Sequence, residues 1–175
     1  MKKNKISFEA ENPFKVIATF FDFAALDFYK QHLSEAVIYS YKTKVYEQDN
    51  PSNVFVFYTA VCSLLKACYC LQKKSKKWKM KEFLRSETVF HLTSLTEEEY
   101  DNPFTVFQKA FDEKTPEQFE LFLSEIVGLS LSPQAGEPDA DHVICYIYLI
   151  KMLDAVELIR ERGVEKIRKR IRLML

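Results

Sequence analysis

Glycine is scarce in this chain: it occurs three times in 175 residues, at Gly128, Gly136 and Gly163. Tight hairpins and phosphate-binding loops rely on glycine for the positive φ that their turns require. With none before Gly128 and no suitable spacing after it, GxGxxG and Walker-type loops are excluded. GxSxG, HExxH and paired CxxC spacings are also missing, as is a two-carboxylate constellation, so hydrolase chemistry and structural zinc lack a motif. Net charge is zero, with 25 basic and 25 acidic side chains, so no global field draws in nucleic acid or an anionic membrane. The N-terminal stretch has a basic tip but no apolar run, since Glu9, Glu11 and Lys15 interrupt it. The four cysteines sit in apolar stretches as small hydrophobes, and a reduced, unexported chain is expected to be cytoplasmic.

What is present is an internal repeat. NPFKVIATFFDFAALDFYKQHLSEAV, from Asn12, aligns without a gap to NPFTVFQKAFDEKTPEQFELFLSEIV, from Asn102. Identities include Asn12/Asn102, Pro13/Pro103, Phe14/Phe104, Leu33/Leu123, Ser34/Ser124 and Glu35/Glu125. A repeat organises a fold before any other signal does. Further on, Leu64-Leu65-Lys66-Ala67 aligns with Met152-Leu153-Asp154-Ala155 at nearly the same offset. Scarce glycine and long periodic segments predict an all-α, single-domain bundle of about six to eight helices across residues 1–175. It is built from two pseudo-symmetric halves, 12–85 and 102–175.

Asn-Pro pairs at 12–13, 50–51 and 102–103 read as helix starts, Asn capping and Pro occupying the first turn. Helices are predicted near 13–21, 24–46, 103–112 and 116–128, the last opened by Thr115 with Gln118 and stopped by Gly128. The most apolar segments, 54–71 and 143–159, are read as the central helices. The first approaches membrane-spanning length, but Thr59, Cys62, Ser63 and Lys66 interrupt it, so it is taken as a core helix rather than a span. A basic helical segment is expected from Lys73 to about Leu95, then a turn through Asn102. A last amphipathic helix is expected from Val164 to Leu175.

The functional candidates are the basic runs. Lys74, Lys76, Lys77, Lys79 and Lys81 surround Trp78, offering cations for phosphates and a ring face for an unstacked base. Arg168, Lys169 and Arg172 fall in a second run, after the other central helix. Because both runs follow equivalent helices, a pseudo-twofold packing would join them in one bipartite anion-binding surface. The expected function is therefore a non-catalytic interaction or regulatory module whose partner is an anionic protein or a nucleic acid. So aromatic a chain can also form a homodimer. No cofactor and no metal are expected: His32 with Glu35, and Asp139 and Asp141 with His142, are two incomplete ligand fragments. Asp139 or Asp141 is better read as the cap of the following helix.

Arg85 and His91, with Ser86 to Phe90 between them, resemble the Arg-x4-6-His signature of HEPN-type all-α ribonucleases. The resemblance rests on these two residues. It implies a metal-independent alternative in which Arg85 and His91 act on an RNA phosphate, His moving the proton and Arg stabilising the developing charge. That family's motifs place a polar residue such as Asn or Asp after the Arg, a position held here by Ser86.

Overall fold

The computed structural model describes residues 12–47, 50, 52–82, 94–137 and 139–167. Within them the chain is mostly helical, with seven α-helices. Local signals set most of the boundaries. Asn12 Oδ1 accepts from the Phe14 N–H and Asn50 Oδ1 from the Ser52 N–H, so α1 (Pro13–Phe23) and α3 (Ser52–Lys74) open alike. Asn102 departs from that pattern: its carbonyl accepts the Thr105 N–H at the start of α5 (Phe104–Glu113). Thr115 and Gln118 form the expected capping box on α6 (Pro116–Ser130), and Asp139 caps α7 (Ala140–Arg162). Like α5, α2 (Leu26–Ser40) begins without a side-chain cap, here after an extended Ala24–Ala25. Its position comes from tertiary contact instead. Tyr29 is fully buried, stacks on Phe20 at 3.7 Å and donates its hydroxyl to the Phe20 carbonyl at 2.6 Å.

The central helices α3 and α7 each have 23 residues, about 34 Å of axial rise. α3 buries Val54, Phe57, Val61, Leu64, Cys68 and Leu71 against α1, α5 and α6, while α7 packs on α2 and α5. Full burial of side chains this size is worth roughly 1.5–3 kcal/mol each. By length and composition alone α3 could cross a membrane. α2 and α6 make the most extensive helix pair. Past their ends the Tyr46 N–H donates to the Ser130 carbonyl (2.8 Å) and the Gly136 N–H to the Ser40 carbonyl (2.7 Å). Gly136 suits that crossing, because a Cβ there would lie 2.7 Å from Leu129 Cδ1.

Several expectations fail here. Helicity from the basic segment stops at Lys74: a 3-10 turn (Ser75–Lys77) leads into a strand, β1 (Trp78–Met80). The tail does not start a helix at Val164 either, because Val164–Lys166 forms β2, antiparallel to β1. Lys and Met favour helices in isolation, but pairing with a strand more than eighty residues away overrides that weak preference. α2 ends at Ser40, short of 46, and the turn expected before Asn102 contains α4 (Glu97–Asp101). Gly128 does not stop α6, which runs on to Ser130. The glycine that ends a helix is Gly163, at φ 71° after α7, a conformation in which a side chain would be strained.

Candidate functional site

The β1–β2 ribbon pairs Trp78–Met80, inside the lysine run, with Val164–Lys166. Its register sets Trp78 opposite Lys166, Lys79 opposite Glu165 and Met80 opposite Val164. Flanking bonds extend the pairing at both ends, from the Lys81 N–H to the Gly163 carbonyl (3.2 Å) and from the Ile167 N–H to the Lys77 carbonyl (2.9 Å). Lys74, Lys76, Lys77 and Lys81 are exposed and have no acidic partner among the described residues. Lys79 differs, since its ammonium lies 2.9 Å from Glu165. That hydrogen bond and charge raise the Lys79 pKa above the ordinary lysine value. Trp78 is half-buried with its ring occupied: Phe14 meets it edge-on at 4.7 Å, and Lys166 Nζ stands 5.8 Å from its centroid. Arg168, Lys169 and Arg172 lie outside the described residues, as do Arg85 and His91.

Beside the ribbon runs an open groove of about 480 Å3 between β1 and the α4–α5 corner. Trp78, Met80, Phe104 and Ile167 supply apolar lining, Lys76, Lys79 and Arg162 supply cations, and Glu82 and Asp101 supply acids. Gln108 crosses its wall, donating to Ser75 Oγ at 3.0 Å. Arg162 is a structural strut: Nη1 donates to the Tyr100 carbonyl (2.8 Å) and Nη2 to that of Lys81 (3.4 Å). Its Nε is shielded from solvent and lacks a partner among the described residues. Asn102 also lines the groove, and of these residues Asn102, Phe104, Gln108 and Arg162 are not among the site residues expected from the sequence. Only Arg162 carried a local signal, being part of the second basic run.

A second group of charges lies inside the fold. Asp154 is fully buried, forms an ion pair with Lys30 through Oδ1, and accepts the Ser94 hydroxyl on Oδ2 at 2.6 Å. One turn earlier on α7, Lys151 meets the buried Glu99 at 2.6 Å, and Lys109 joins at 3.4 Å. Burial alone would raise the Glu99 pKa. The Lys151 hydrogen bond, the Thr96 N–H and the nearby Lys109 charge outweigh it and hold the carboxyl below its usual range. These contacts pin α4 to α7 and so shape one wall of the groove.

The weaker candidates resolve into packing. His32 Nδ1 bonds the Phe28 carbonyl at 2.8 Å, its ring lying beside Phe28 and Phe57. His142 bridges the Tyr41 hydroxyl (3.0 Å) and Glu125 (3.3 Å). No group of three metal-ligating side chains occurs among the described residues. Burial pushes the Cys145 thiol up to about 11 and raises that of Cys68 as well, which suits inert packing thiols. No protein-family model, curated protein or solved structure matches this chain.

Proposed function

We propose that the protein is a duplicated, non-catalytic helical module of the cytosol that presents a basic surface, formed jointly by its two halves, to an anionic partner. Halves 12–85 and 102–175 are read as packing about a pseudo-twofold axis. Reciprocity of contacts supports this. Under the repeat alignment, the Tyr46 to Ser130 hydrogen bond exchanges with that from Gly136 to Ser40. The Ser34–Tyr146 hydroxyl contact likewise exchanges with that between Ser124 and Tyr58. Ion pairs follow suit: Lys30–Asp154 on α2 and α7 corresponds to Glu120–Lys66 on α6 and α3, with the charges reversed. The same reading treats α3 as a core helix, supported by its packing against α1, α5 and α6.

The observation that carries the functional reading is the pairing of β1 with β2, which brings Lys79 from one half of the sequence and Lys166 from the other to one ribbon. It also changes which lysines matter. Lys79 is already neutralised by Glu165, so among the described residues the lysines of the two strands and their flanks without an acidic partner are Lys74, Lys76, Lys77 and Lys81 on one side and Lys166 on the other.

The test is fluorescence anisotropy with mixed-sequence RNA, duplex DNA and an acidic peptide, at low and at physiological salt. The variant is Lys74/Lys76/Lys77→Glu, which spares the ribbon's own ion pair. The module reading expects salt-sensitive binding of at least one probe, lost in the variant. Binding unchanged by reversal would sink it. RNA cleavage abolished by Arg85→Ala or His91→Ala would replace it with the ribonuclease alternative.

A further inference from the structure

We draw no further inference here: the strongest candidate, the solvent-facing stripe of α3 at Phe55, Thr59 and Ser63, is an unpartnered helix face, and nothing in the structure shows what covers it.

Discussion

Two ion pairs join equivalent helices of the proposed repeats yet sit in opposite environments. Lys30–Asp154 links α2 to α7 with the aspartate fully buried and the lysine side chain 20% exposed. Lys66–Glu120 links α6 to α3 at 3.4 Å, with side chains 60% and 36% exposed. Their chemistry is the same, with the signs exchanged. Burial decides what each is worth. In water a paired charge gains little over a solvated one, whereas in the interior a charge deprived of its partner has nothing to replace it. The segment from Ser94 through α4 makes the difference, since Ser94 binds Asp154 and Glu99 engages the neighbouring Lys151. A contact that is decoration on one side of the molecule has become an anchor on the other.

The most direct way to break that comparison is Lys30→Met. It leaves Asp154 buried and unpaired, and a loss of about 3–5 kcal/mol in denaturant unfolding is expected. The double replacement Lys30→Met/Asp154→Leu is expected to recover most of it, because an apolar pair of similar volume needs no mutual neutralisation. A single-variant loss below about 1 kcal/mol would show that the buried pair behaves like a surface one.

Glu99→Gln is next in size, with an expected loss of about 1.5–3 kcal/mol from charged hydrogen bonds to Lys151 and Thr96. It also has a pH signature. The folded carboxyl titrates below its unfolded value of roughly 4.3, so the unfolded chain binds more protons in acid. Its contribution is present above that unfolded value and disappears as pH falls through the lower folded one. The acid limb of the stability curve should therefore flatten in Glu99→Gln, and an unchanged limb would place the acid sensitivity elsewhere.

Much of the helical frame was legible because its signals are local. Asn12, Thr115 with Gln118, and Asp139 each cap within three residues of themselves, and the apolar runs of α3 and α7 are continuous. The ribbon was not legible. Trp78–Met80 and Val164–Lys166 are three residues each, too short for a period-two pattern, and their partners are distant in sequence. Gly163, just after two arginines in the last turn of α7, was a readable stop that Gly128 obscured. Site legibility divides the same way. The lysines around Trp78 were visible as composition, while Asn102, Phe104 and Gln108 reach the groove only through the packing of α5. Asp154 was visible as an acid within an apolar run, but nothing local said that Ser94 and Lys30 would meet it.

Thr115→Ala isolates a local effect from that tertiary background. It removes the hydroxyl that accepts the Gln118 N–H at the start of α6, and a loss of about 1 kcal/mol is expected. A loss several times larger would mean that the turn from α5 into α6 carries strain the cap alone does not describe.

The smallest effect completes the comparison of the ion pairs. Lys66 keeps most of its side chain in water, so the attraction to Glu120 that Lys66→Met gives up is screened, and the entropy of holding two long side chains together is recovered. A change below about 0.5 kcal/mol is expected, shrinking further as added salt shortens the range of surface charges. Exchanging the charges, as Lys66→Glu with Glu120→Lys, should also be nearly neutral, because neither position depends on a buried partner. The same exchange at Lys30 and Asp154 should not be, since it puts a buried ammonium where the Ser94 N–H and hydroxyl now donate to a carboxylate; the hydroxyl can turn to accept, but the N–H cannot. Equal tolerance of the two exchanges would mean that burial does not separate the pairs, and that Lys30–Asp154 persists as an inheritance from the repeat rather than as an anchor for α4.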